Sequence, residues 1–273
     1  MKRPHPRSRP KRRPRRGQTG PATPPTEESE RFPMRLNRFI ARSGVCSRRE
    51  ADELIEAGRV KVDGAVVTEF ATQVGPEHRV EVNGRLITPT KREYLLLNKP
   101  GGVITTKSDE KGRDTVLDLI DLDEETKSAL FPVGRLDRET TGILILTSDG
   151  ELAHRLMHPS FEVEKLYRVR TARKVTEDEL QRLVDGLDLD DGRAAADRAA
   201  FISPEARDEV AVSMHSGRNR IVRRMFEGLG HEVRELERVQ YADLTAAGLR
   251  RGKWRRLTDA EVRRLYRAVK MKP

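Results

Sequence analysis

The chain of 273 residues has one cysteine, Cys46, one tryptophan, and only 4% aromatic residues. A single cysteine excludes an internal disulfide framework and any multi-cysteine zinc or iron–sulfur centre, and it fits a reducing cytoplasm. No apolar run approaches the roughly 18–20 residues that span a bilayer, so no membrane helix is expected. The basic N-terminus leads into no apolar stretch, so a secretory signal is not expected either. No glycine-rich phosphate loop is evident.

Charge is abundant: 36% of residues are charged and the net charge is +10. Its location matters more than its size. Residues 1–31 hold ten Lys/Arg against three acids, while the other 242 residues hold 44 basic and 41 acidic groups. The excess therefore sits mainly in a short tail and points to a polyanionic partner. Charge alone does not separate nucleic acid from an acidic membrane surface. The tail, 1–32, is rich in proline and poor in apolar residues, so it is expected to be disordered, with Lys11-Arg12-Arg13-Pro14-Arg15-Arg16 as an electrostatic tether.

A different pattern starts at Met34. Leu36, Phe39 and Ile40 fall at helical spacing, and Ser43-Gly44 breaks the run. Ser47 and Glu50 form a capping-box signature for a helix over 48–57 that ends at Gly58. Val60 and Val62, Asp63-Gly64, and Val66 and Val67 predict a hairpin with a type I′ turn; Val80, Val82, Asn83-Gly84, Leu86 and Ile87 predict a second. Arg35, Arg38, Arg42, Arg48, Arg49, Arg59 and Lys61 are expected mainly off the apolar face, where they would hold phosphates. Cys46, beside Val45, reads as a small apolar filler.

A larger unit is expected over 93–273. The apolar stretch from Tyr94 runs into Asn98-Lys99-Pro100-Gly101-Gly102, and Ile143-Leu144-Ile145-Leu146 suits a central strand. Segment 114–130 reads as helix and loop. Further strands are expected at 166–171 and 209–214, with helices from Ser148-Asp149 to Met157 and over 176–184, 220–229 and 258–269. The irregular mixture predicts an α+β fold, with a mixed, mainly antiparallel sheet flanked by helices. Between Pro132 and Thr141, Arg135 and Arg138 flank Asp137 and would keep its carboxylate ionised, as a nucleophile or base requires. On physics alone a surface salt bridge is the ordinary reading of such a triplet. His154 and His158 stand four apart, but no nearby acid completes a zinc set, so no metal is expected. Trp254 reads as a packing residue.

Two resemblances sharpen this reading. Arg35-Leu36-Asn37-Arg38-Phe39-Ile40, Ser47-Arg48-Arg49-Glu50-Ala51 and Gly58-Arg59-Val60-Lys61-Val62-Asp63-Gly64 resemble the alpha-L RNA-binding domain, the type named after ribosomal protein S-four, over about 34–80. Gly134-Arg135-Leu136-Asp137 with Thr141-Gly142-Ile143-Leu144-Ile145-Leu146, then Lys165-Leu166-Tyr167-Arg168-Val169, then Gly217-Arg218-Asn219-Arg220-Ile221-Val222-Arg223-Arg224 resemble the three ordered motifs of pseudouridine synthases. The resemblance implies domains over 33–92 and 93–273, and isomerisation of uridine in ribosomal RNA without cofactor or metal. It implies Asp137 as the catalytic carboxylate, Arg223 as its partner, Tyr167 packing on the uracil, Val222 beneath that ring, and Arg138 or Arg135 at the RNA. Arg35, Arg38, Arg48, Arg49 and Lys61 are the implied phosphate contacts. Large-subunit RNA is the favoured target and a monomer the expected state. Small-subunit RNA, or a non-catalytic assembly factor on the same fold, are the alternatives.

Overall fold

The computed structural model describes residues 32–107 and 109–272. The expected disordered arm lies, apart from Phe32, outside these residues. Phe32 itself packs against the core of the first domain.

That domain begins with α1 (Leu36–Arg42) and α2 (Arg48–Glu56). Ser47 and Glu50 close the capping box at the start of α2, satisfying two backbone N–H groups that a helix end leaves unpaired. The two hairpins join into one four-stranded sheet, in the order Ala65–Val66, Val60–Val62, Val80–Val82, Arg85–Ile87. Both turns have two successive residues at positive φ: Asp63 at 51° and Gly64 at 83°, then Asn83 at 51° and Gly84 at 77°. This is the type I′ geometry whose twist matches the strands. Leu36, Ile40, Ile55, Val60 and Val80 lose all solvent contact in the core between helices and sheet. Cys46 packs at its margin, and burial followed by the nearby Glu50 pushes its thiol up to about 11, so it behaves as an apolar filler.

Contacts tie this domain to the rest. Thr90, in the segment that leads out of this domain, donates its N–H and hydroxyl to the Arg42 carbonyl at 3.0 and 2.9 Å, and across the boundary Ser128 Oγ donates to the Gly44 carbonyl at 2.6 Å. Gly44 has φ +72°, and a Cβ there would lie 2.6 Å from the Glu125 carbonyl oxygen.

The larger domain is α+β. Its nine-stranded sheet runs Arg198–Phe201, Glu209–Met214, Lys165–Thr171, Val233–Tyr241, Thr141–Thr147, Tyr94–Lys99, Trp254–Arg256. The short strands Phe131–Pro132 and Leu244–Thr245 pair with Thr141–Thr147 and Val233–Tyr241. Every pairing is antiparallel except Val233–Tyr241 with Thr141–Thr147. Helices α3 (Glu124–Ala129), α4 (Gly150–Met157), α5 (Glu177–Asp185), α6 (Ile221–Gly228) and α7 (Asp259–Ala268) complete it. Segment 114–130 is helical only over α3. Trp254 packs with Leu95 and Leu97.

The one parallel junction depends on Gly142. At φ +104°, its missing Cβ would stand 2.2 Å from the Arg238 carbonyl oxygen and 2.8 Å from the Arg238 nitrogen. Only glycine admits this conformation and this approach together. The junction brings the loop before Thr141 beside the middle of the Val233–Tyr241 strand.

Candidate active site

Residues 134–140 lead into the Thr141–Thr147 strand, and Gly134, Arg135, Leu136, Asp137 and Thr140 of this segment line a cleft of about 390 Å³. Gly134, at φ +75°, starts the turn. Lys99, at the end of its strand, is fully buried and organises the segment: Nζ donates to the carbonyls of Pro100, Asp137, Arg138 and Thr140 at 3.0, 3.1, 2.9 and 2.9 Å. Thr105 Oγ1 donates to the Leu136 carbonyl at 2.8 Å, and Arg138 Nε to that of Gly102 at 3.0 Å. Burial pushes the Lys99 ammonium down to about 8, against the opposing pull of Glu139 and Asp137. The four carbonyls favour the protonated form, because a neutral amine has only two N–H groups to offer.

Asp137 stands at the cleft with its side chain about one-third exposed. The cations within 4 Å of its carboxylate are not the sequence neighbours Arg135 and Arg138. They are Arg220, Nη1 to Oδ2 at 3.6 Å, and Arg223, Nε to Oδ2 at 3.9 Å. The irregular segment turns Asp137 toward α6, while Arg138 turns back to Gly102 and Glu139. Arg223 comes up from the first turn of α6, and its Nη1 donates to the Val233 carbonyl at 3.0 Å. Burial, then repulsion from Arg220, pushes its guanidinium down from its ordinary range. Arg220 caps the same helix in the left-handed region, φ 48°. That conformation costs roughly 1–2 kcal/mol in a non-glycine residue, and such strain is often found at functional sites.

Tyr167 and Val222 both line the cleft, Tyr167 from the Lys165–Thr171 strand and Val222 from α6. Tyr167 is 9% exposed and also belongs to the core, so its packing role and its place in the cleft coexist. Among the described residues, no protein group hydrogen-bonds its hydroxyl. Arg135 is exposed and lines the same cleft. Asp191 holds both Arg218 and Arg224: Arg224 in two bonds of 2.9 Å, Arg218 through Nε at 3.1 Å. The hairpin of Leu187–Leu189 and Gly192–Ala194 thereby fixes the loop before α6.

On the first domain, Arg35, Arg48, Arg49, Arg59 and Lys61 are exposed. Arg42 is buried and Arg38 half-buried, where the spacing placed them off the apolar face. Arg38 lies in the field of Glu151 and Asp149 of the larger domain, and burial depresses it. His154 and His158 stack at 5.4 Å between centroids, and among the described residues no three His, Cys, Asp or Glu side chains gather as a metal set. Sequence reasoning missed Lys99 and Arg220 as individual site residues. A lysine closing the apolar run Leu95-Leu96-Leu97 was the available signal for the first.

The RNA pseudouridylate synthase family profile matches residues 93–228, and the S4 domain profile matches 34–80. Ribosomal large subunit pseudouridine synthase B of Bacillus subtilis is 43% identical over 234 residues, 85% of this chain and 95% of that protein. The protein of that name from Salmonella typhi is 40% identical over 247 residues, 88% of this chain and 84% of the relative. A solved pseudouridylate synthase structure superposes with TM-score 0.61 at 29% identity, covering 85% of this chain and 99% of that one. The chain belongs to the RNA pseudouridine synthase family and pairs its isomerase domain with an S4 domain. Among the described residues, no helix is long and apolar enough to cross a membrane.

Proposed function

We propose that the protein converts one uridine of large-subunit ribosomal RNA to pseudouridine, with Asp137 as the catalytic carboxylate. The observation that carries this reading is the meeting of Asp137, Arg220, Tyr167 and Val222 at one cleft, with Arg223 3.9 Å from the Asp137 carboxylate. The similarity to large-subunit synthases supports the choice of RNA.

The target uridine must leave its stack to reach a cleft of this depth, which costs roughly a few kcal/mol. Exposed Arg48, Arg49, Lys61, Arg35 and Arg135 supply phosphate contacts that offset this cost, and exposed Arg138 holds the duplex open or contacts a phosphate. Tyr167 stacks on the flipped uracil and Val222 supports it from below. Arg220 and Arg223 attract and orient the Asp137 carboxylate, and Lys99 fixes the backbone that carries it. Asp137 then attacks C1′ or removes the C2′ proton. The C1′–N1 bond breaks, the uracil turns, C5 joins C1′ as the Asp137–C1′ bond breaks or as C2′ regains its proton, and the C5 proton is lost as N1 regains one. No redox change occurs and no group is added, so the chemistry calls for no nicotinamide, nucleotide or metal. The protein acts as a monomer in the cytoplasm.

The test is to map pseudouridines in ribosomal RNA from a strain lacking the protein. One large-subunit position should revert to uridine and be restored by the purified protein. A missing position in small-subunit RNA would reassign the substrate, and an unchanged map would refute the reading.

A further inference from the structure

Lys165 and Arg238 are cations buried in the larger domain. Lys165 is 6% exposed and Arg238 2%. Among the described residues, neither forms an ion pair with a carboxylate. Lys165 Nζ donates to the carbonyls of Val163 and His215, at 3.0 and 2.8 Å. Arg238 Nε donates to the Ile143 carbonyl at 2.8 Å, while its Nη2 is buried with no partner. Burying an unpaired charge is costly, and packing does not require one here. Apolar side chains would fill the same volume.

Their placement is the second observation. In the pairing of Lys165–Thr171 with Val233–Tyr241, Lys165 lies opposite Tyr241 and Tyr167 opposite Arg238. Cross-strand partners share a face of the sheet. All four side chains line the cleft. Both cations also lie over the Tyr241 ring, Nζ at 5.6 Å and the guanidinium carbon at 4.9 Å from its centroid. Burial raises the Tyr241 hydroxyl well above its ordinary range, so it stays neutral and offsets neither charge. Five cations, Arg135, Lys165, Arg218, Arg220 and Arg238, line this cleft against one carboxylate, Asp137. Asp137 has its own partners in Arg220 and Arg223.

We propose that Lys165 and Arg238 form a cationic floor for the uracil anion, and so are further catalytic residues of the isomerisation. This rests on the isomerase reading. When C1′–N1 breaks, the bonding pair stays on the base, and its negative charge spreads over N1 and the carbonyl oxygens. By either route for Asp137, this anion persists until C5 forms its bond to C1′, after which the C5 proton leaves and N1 takes up a proton. Fixed cations in a water-poor site stabilise such developing charge without reorganising. Their depth in the cleft suits a planar base rather than a phosphate, which the exposed arginines would reach first. The close approach allowed by Gly142 sets Arg238 in place.

The test compares wild type, Arg238→Met, Arg238→Lys and Lys165→Met under single turnover. The substrates are two RNAs that differ only in carrying uridine or 5-fluorouridine at the target. Loss of the original nucleoside is read by nuclease digestion and mass spectrometry. Fluorine makes the uracil a better leaving group that needs less help. Removing one such stabilising donor slows chemistry by about 10²–10³-fold, so Arg238→Met should slow loss of uridine by about that much and loss of 5-fluorouridine far less. RNA affinity should stay within about threefold, and Arg238→Lys should recover most of the rate. Lys165→Met should show the same substrate dependence, and it decides the matter alone should Arg238→Met fail to fold. Equal slowing on both substrates, or a loss confined to RNA affinity, would overturn the proposal. A wild-type protein inert on uridine RNA would instead overturn the isomerase reading itself.

Discussion

Replacing Lys99 by Met tests whether the backbone carrying Asp137 is held by one buried ammonium. Methionine keeps most of the length and apolar character of the stem and removes the donors. Four carbonyls then lose a charged hydrogen bond. The Asp137 oxygen keeps the Thr140 N–H at 3.1 Å, and the Arg138 oxygen keeps the Gly102 N–H at 3.0 Å. The Pro100 and Thr140 oxygens have no second donor among the turn and loop hydrogen bonds. Two carbonyls left unsatisfied at about 1–3 kcal/mol each give about 2–6 kcal/mol. Relief from burying a charge offsets part of this, leaving a loss of about 2–4 kcal/mol. For a chain of this size, each kcal/mol shifts the melting temperature by about 2–4 °C. Thermal unfolding by circular dichroism should therefore show a drop of roughly 5–15 °C. Activity should fall further than stability accounts for, because misplacing a reacting group by about 1 Å costs on the order of 10²-fold. A Lys99→Met protein that melts as wild type and isomerises at the wild-type rate would refute the role given to this side chain.

Tyr167→Phe keeps the ring and removes the hydroxyl; if that hydroxyl helps remove the C5 proton, product should stall after glycosidic cleavage in a rapid-quench assay, whereas wild-type rates would confine Tyr167 to stacking. Gly142→Ala forces both a disfavoured φ and a clash with the Arg238 backbone, and should cost more than about 3 kcal/mol in urea unfolding. Exchanging Arg48, Arg49 and Lys61 together for Gln should flatten the log–log salt dependence of RNA binding by about 2–3, at about 0.7–0.9 per phosphate contact, and leave the single-turnover rate on bound RNA unchanged. Glu261 is held down to about 2, by the Arg255 guanidinium first and then by Thr258. Its folded-state value lies below the unfolded one, so its contribution is full above about pH 4.5 and is lost as pH falls toward 2; Glu261→Gln should flatten the urea midpoint across that window.

Local chemistry made much of the fold legible. Capping residues marked α2, the Asp63-Gly64 and Asn83-Gly84 pairs marked both hairpins, and Ile143-Leu144-Ile145-Leu146 marked the central strand. The longest strand, Val233–Tyr241, was not legible. It reads Val-Arg-Glu-Leu-Glu-Arg-Val-Gln-Tyr, with too much charge for a central position, and irregular pairing at Leu166/Tyr167 and Arg170/Thr171 disturbs its alternation against its neighbour. Arg238 is buried there, against every expectation for its residue type. The site divides in the same way. Asp137, Tyr167 and Arg223 were found through motif resemblance, and the structure brings them to the cleft or its margin. Arg220 could not be singled out, because its proximity to Asp137 depends on a left-handed turn at the head of α6. Arg42 was misplaced because helical spacing describes a lone helix, whereas in the fold Arg42 lies among the buried residues of α1.

The central claim is that Asp137 drives isomerisation of a uridine in ribosomal RNA. The direct measurement is tritium release from large-subunit ribosomal RNA labelled at uridine C5, with wild-type protein and Asp137→Asn at matched RNA occupancy. The account predicts stoichiometric release at one position by wild type, and binding within a few fold but no release by Asp137→Asn. Release by the Asn variant at the wild-type rate, or none by the wild type, would contradict it.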